Sequence, residues 1–120
     1  MATPIDPDRV FSLLSEPDRR HVLTCLDEKR IWPTDALARE LAVRDGSGES
    51  HRQLDEPKSA HVREKHILLV HNHLPRLTDY GVIEWDRRSG DVVRTDRFEQ
   101  IVSYLELASG DDHRLRTEAI

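Results

Sequence analysis

Residues 59–95 read SAHVREKHILLVHNHLPRLTDYGVIEWDRRSGDVVRT, and the folding of this stretch decides the architecture. Apolar residues at helical spacing predict a helix from Ser59 to about Leu77 or Asp79. Pro75 falls inside it. A proline removes one backbone hydrogen bond, so the helix should kink there or end its regular part early. Gly81 is the expected stop. Two short β-type runs follow, Val82-Ile83-Glu84-Trp85-Asp86 and Asp91-Val92-Val93-Arg94-Thr95. Between them lies Arg87-Arg88-Ser89-Gly90, a hairpin signal with glycine in the turn.

At about 100° per residue, Ile67, Val70, Leu74 and Leu77 share one arc, which predicts the core face. The opposite arc holds His61, Lys65, Leu68, Asn72 and Arg76. A helix that reads the major groove needs such a stripe: cations for phosphates or guanine edges, an amide for adenine, an apolar group for a thymine methyl. A plain solvated face is the competing reading. Arg87 and Arg88 at the hairpin tip are placed to reach phosphates or the minor groove, unless they only solubilise the turn. Lys58 and Arg63 flank the helix start, where cations would add to the positive end of the dipole. Arg63 also falls on the core arc, which leaves internal pairing open.

Upstream, a short helix is expected over about Asp6 to Leu14, with Val10, Phe11, Leu13 and Leu14 apolar. Ser15-Glu16-Pro17-Asp18 reads as the start of a second helix, to about Asp27. Its face is Val22, Leu23 and Leu26, with Cys25 beside it. Arg30-Ile31-Trp32 is a small strand stopped by Pro33, and Thr34 caps a helix to about Val43 with a Leu37, Ala38, Leu41 stripe. Arg44 to Pro57 reads as a loop. Downstream, Asp96-Arg97-Phe98-Glu99 resembles a capping box opening a helix to about Ala108.

Three helices followed by a basic-tipped hairpin predict a mainly α fold with a β-hairpin wing, a winged helix-turn-helix with extra N- and C-terminal helices. LLSEPDRRHVLTCL resembles the first helices of arsenic-repressor-type and related archaeal regulators, and Thr34-Asp35-Ala36-Leu37-Ala38 resembles their scaffold helix. His73-Leu74-Pro75-Arg76-Leu77 with Gly81-Val82-Ile83-Glu84 resembles the recognition-helix end and wing entry of a haloarchaeal winged-helix family. The resemblance covers about residues 8–95 and implies DNA binding. The 44–57 loop departs from it, since a tight turn is usual within a helix-turn-helix. One domain is expected over 1–109, with its core about 8–95 and a C-terminal helix about 96–109. A flexible tail is expected over residues 110–120.

The terminal helices each carry an apolar stripe outside the minimal three-helix core. Val10, Phe11 and Leu14 are expected to pack with Phe98, Ile101, Val102 and Leu105 of a second chain, making a homodimer whose two-fold axis suits palindromic half-sites. Closure within one chain is the alternative.

The 120 residues carry a formal net charge of −5, which taken whole argues against a nucleic-acid partner. Its distribution changes that. Residues 1–57 hold 8 basic and 12 acidic side chains, residues 89–120 hold 4 and 7, and residues 58–88 hold 6 and 4. The one basic segment therefore coincides with the long helix and hairpin tip. Arg outnumbers Lys 15 to 3, and a chain rich in acids and poor in Lys resembles a halophile's protein. There is neither a membrane-length apolar run nor a signal-peptide pattern, and the single cysteine excludes an internal disulfide, so a cytoplasmic protein is expected.

His61, His66 and His73 lie along one flank with Glu64 and Asp79 near, but no CxxC or HExxH supports a metal site, and none is expected. His21 and Cys25, one turn apart, suggest a Cys-His pair without an orienting acid, so neither enzyme activity nor a cofactor is expected. The function expected is a transcriptional regulator that binds double-stranded DNA. A winged-helix module for protein–protein interaction is the main alternative, and a metal-dependent enzyme or sensor the second.

Overall fold

The computed structural model describes residues 5–46 and 59–108. The greater part of the expected 44–57 loop, Lys58 and the expected tail lie outside the described residues. The chain is mainly α, with a small three-stranded antiparallel sheet that includes a β-hairpin wing and with helices added at both ends.

Helix α1 spans Pro7–Leu14, and the Asp6 carboxylate accepts the Asp8 N–H at its N-terminus. Helix α2 spans Pro17–Glu28. Ser15 does not cap α2 as its position in the sequence suggests. Its hydroxyl donates to the Ser12 carbonyl and closes α1, while Glu16, the residue before α2, makes no side-chain capping bond. With only two residues between the helices, the free carbonyls of α1 face the first turn of α2, and two arginines there meet them. Arg19 Nε donates to Leu13 O at 2.8 Å, and Arg20 Nη1 to Leu14 O at 2.7 Å. Arg19 is buried as a result.

Strand β1 is Ile31–Pro33, and helix α3 runs Thr34–Gly46, beyond the expected end near Val43. Strand β2 is Ile83–Trp85 and β3 is Asp91–Arg94. The sheet order is β1-β3-β2, with Ile31 opposite Val93 and Trp85 opposite Val92. Thr34 joins sheet and helices: its N–H and its hydroxyl both donate to Gly90 O, at 2.8 and 2.6 Å. The hairpin turn is thereby tied to the first residue of α3.

The long helix is not uniform. Helix α4 spans Ser59–Leu68, a π-helical turn covers Leu69–His73, and helix α5 spans Leu74–Asp79. Within the π-turn the Leu74 N–H reaches back to Leu69 O. A proline ring collides with the carbonyl four residues earlier, and a wider turn just ahead of Pro75 relieves that clash. The wide turn absorbs an extra residue and slips the phase of everything before it. Leu74 and Leu77 are buried as expected, but Leu69 takes the place assigned to Val70. Ile67, expected in the core, is 51% exposed, and Lys65, expected on the outer face, is buried.

Helix α6, Glu99–Ala108, follows a single 3-10 turn over Asp96–Phe98. Its cap is Thr95 and not Asp96: the Thr95 hydroxyl accepts the Arg97 N–H and donates to Gly81 O at 2.6 Å. Gly81 has φ +77°, the left-handed geometry that ends α5. Helix α6 packs against α1 and α2. Val10, Leu14, Phe98, Ile101 and Leu105, expected to meet a second chain, are buried within this one. Two short amphipathic helices close on each other because the three-helix core leaves α2 with an apolar side to cover. Val102 is partly buried, and Phe11 stays 58% exposed, edge-on to Tyr104 at 5.8 Å.

Candidate nucleic-acid interface

The stripe expected on the long helix is divided by the π-turn. On the near side, Lys65 Nζ donates to Asp18 Oδ2 on α2 at 2.9 Å, with both side chains largely buried. Lys65 therefore holds α4 to α2. His61 is half-buried, with Nδ1 3.4 Å from Glu64 Oε1. Arg63 is exposed, contrary to its place on the expected core arc. Leu68 is 41% exposed. Beyond the π-turn, Arg76 is exposed and its Nε donates to Asn72 Oδ1 at 3.0 Å. That bond leaves the NH₂ of half-buried Asn72 and the two Nη groups of exposed Arg76 side by side as a donor cluster.

The wing tip is built around Asp86. Its carboxylate accepts the backbone N–H of Arg88 at 2.9 Å and of Ser89 at 3.4 Å, and its carbonyl accepts the Gly90 N–H at 2.7 Å. Gly90 sits at φ +85°, which a β-carbon would strain. Arg87 lies over the Trp85 ring at 4.5 Å, and Arg88 is exposed. Stacking on the ring fixes the direction of the Arg87 guanidinium.

Elsewhere the arginines serve the fold. Arg94 Nη1 donates to Leu26 O and Asp27 O at the end of α2, and Arg97 Nε to Tyr80 O at the end of α5. The Arg-to-Lys imbalance thus has a structural use, since a guanidinium reaches several carbonyls at once. A groove of about 600 Å³ between α2, the sheet and α6 is lined by Asp27, Asp96, Glu99 and Glu106 against Arg30 and Arg94. Its acidic excess does not suit a phosphate backbone.

His66 Nε2 stands 3.2 Å from Asp35 Oδ1, joining α4 to the first turn of α3. His73 is buried, and its Nδ1 has no hydrogen-bond partner among the described residues. Burial, and next the Arg19 charge, push its pKa below the usual histidine value, outweighing Asp18. His73 is therefore neutral at pH 7, and its 3.9 Å approach to Asp18 is not an ion pair. Among the described residues, the potential metal donors that converge are not these flank histidines but His21, Cys25 and Glu40. Burial, with Glu40 and Glu28 adding, pushes the Cys25 thiol up to about 12, which favours the protonated thiol at neutral pH.

A family model described as a domain of unknown function (DUF7344) matches residues 11–93, from α1 through the last wing strand. The chain belongs to this family. The matched DUF7344 region contains the π-turn, the Lys65–Asp18 pair and the Arg87–Arg88 tip, and ends before α6. No curated protein and no solved structure gives a significant match. Among the described residues, no helix is long and apolar enough to cross a membrane.

Proposed function

We propose that this DUF7344 domain is a cytoplasmic transcriptional regulator that binds double-stranded DNA as a winged helix-turn-helix, similar in layout to arsenic-repressor-type regulators. The observation that carries the reading is the donor cluster of half-buried Asn72 and exposed Arg76 on the long helix. An amide and a guanidinium are the groups that read adenine and guanine edges in the major groove. Arg63 adds a phosphate contact near the helix start and Leu68 an apolar one to a thymine methyl. Arg87 and Arg88 touch the backbone or the minor groove. Lys65 leaves the contact set, because removing it from Asp18 would strand a buried carboxylate.

The reading predicts two separable losses. Duplexes selected from a random pool would be measured by fluorescence anisotropy across salt concentrations. Asn72→Ala with Arg76→Ala should cost about 1–3 kcal/mol on the selected site and relax its sequence preference. Arg87→Ala with Arg88→Ala should weaken all sequences alike and lower the salt slope by about 2. Unchanged affinity in both variants would sink the proposal.

Homodimerisation belongs to the same reading. With most of the two apolar stripes spent inside the chain, a second copy would meet Phe11 and the exposed part of α6 around it. One observation favours the other reading, a protein–protein interaction module. Ile67 and Leu68 are adjacent, large and exposed on the same helix, and an apolar pair suits a protein partner better than a phosphate backbone. Ile67→Ser with Leu68→Ser separates the two: retained DNA affinity assigns the pair to a protein partner.

A further inference from the structure

The packing of α2 against α3 brings a third side chain to a pair that the sequence already sets close together. His21 and Cys25 lie one turn apart on α2, and Glu40 comes from α3. One ring nitrogen of His21, the Cys25 Sγ and one Glu40 carboxylate oxygen all lie within 4.8 Å of one another. In a tetrahedral site with metal–ligand lengths of about 2.0–2.3 Å, neighbouring donors stand about 3.3–3.7 Å apart. Closing that gap takes a movement of about 1 Å, and Glu40 is exposed and His21 half-buried, so both have room for it. Cys25 is the fixed member. It is buried, and its carbonyl accepts both the Lys29 N–H at 2.9 Å and the Trp32 Nε1–H at 2.7 Å.

We propose that His21, Cys25 and Glu40 form a binding site for a divalent transition-metal ion of the zinc class, with a fourth position open to water. The chemistry of the set selects the ion. A thiolate and an imidazole disfavour magnesium and calcium, while a sulfur, a nitrogen and an oxygen donor at tetrahedral reach suit zinc or cobalt. Thiolate and carboxylate together balance the two positive charges. Glu28 adds a further negative charge acting on both Cys25 and His21, with Arg44 as the opposing cation. Burial holds His21 toward its neutral form, the form a metal accepts. When the ion binds, the Cys25 thiol proton leaves to solvent and a metal–sulfur bond replaces the S–H bond. The ion would clamp α2 to α3. This inference does not depend on DNA binding.

Cobalt titration of tag-free, reduced, full-length protein tests it. The expected result is saturation at one equivalent, a thiolate-to-cobalt charge-transfer band with the intense visible bands of tetrahedral cobalt, and stoichiometric displacement by zinc. Cys25→Ser should abolish the charge-transfer band, and Glu40→Gln should weaken affinity at least tenfold while leaving the metal-free melting temperature unchanged. Should Cys25→Ser fail to fold, Glu40→Gln alone carries the test, because Glu40 is exposed. No charge-transfer band in the wild type, a band that persists in Cys25→Ser, or unchanged affinity in Glu40→Gln would each overturn the site.

Discussion

Helix α6 and the α4–α5 helix both read as amphipathic from their spacing, yet the structure treats them differently. In α6 and the turn before it, Phe98, Ile101 and Leu105 recur at helical spacing and all three are buried. In α4–α5 the same logic holds only from Leu74 onward, and the residues before the π-turn have rotated. The physical difference is one proline. An uninterrupted helix keeps its phase over its whole length. A helix that must clear a proline ring widens by a residue, and every face upstream is reassigned.

The comparison is sharpened first by its largest expected effect. Phe98→Ala empties a fully buried aromatic site where α6 meets the core, and should cost about 3–5 kcal/mol in urea unfolding. A cost below about 1 kcal/mol would mean that α6 does not close on its own chain.

The π-turn itself is tested by a reversed pair. Lys65→Ala should cost about 3 kcal/mol, because it orphans Asp18 in a mostly buried pair that keeps some solvent. Ile67→Ser, two residues on, should cost less than about 0.5 kcal/mol because its side chain already meets water. A regular helix predicts the opposite order, so the two melting curves decide the phase.

A smaller effect comes from His73, just inside the turn. Its folded pKa is held below the unfolded value by burial, so the unfolded chain binds a proton more readily. Stability is then full above the unfolded pKa near 6.5 and falls as pH drops from there toward the folded value. His73→Leu should flatten that decline, leaving the share contributed by His21, whose pKa is lowered for the same first reason. An unchanged slope would contradict the burial of His73.

The smallest effect belongs to Phe11, the exposed remnant of the α1–α6 stripes. Phe11→Ser should change unfolding stability by less than about 0.5 kcal/mol, while shifting a dimer toward monomer in sedimentation velocity. A monomeric wild-type protein at all concentrations would remove the dimer from the account.

Much of the architecture is legible in the residues. Pro17, Gly81 and the Arg87–Gly90 turn mark where elements start and stop, because proline and left-handed glycine act locally. Thr34 does begin α3, but its hydroxyl donates to Gly90 O instead of capping the helix. Ser15 and Asp96 misled for a local reason as well. Each is a fair cap by type, but the Ser15 hydroxyl is spent on the Ser12 carbonyl, and Thr95 takes the capping role beside Asp96. The outer face of the long helix was only half legible. The clash at Pro75 was visible, whereas how the chain would relieve it depends on what α2 offers to each side, and Asp18 draws Lys65 inward. Glu40 had no signal beside His21 and Cys25, since its proximity comes from α2–α3 packing and not from spacing.

The most direct test of the central claim is genome-wide mapping of DNA bound by the full-length protein in its own cells, alongside the Asn72→Ala, Arg76→Ala variant. The account predicts reproducible sharp sites sharing one sequence motif, lost or blurred in the variant. No enrichment above input for the wild-type protein would contradict it.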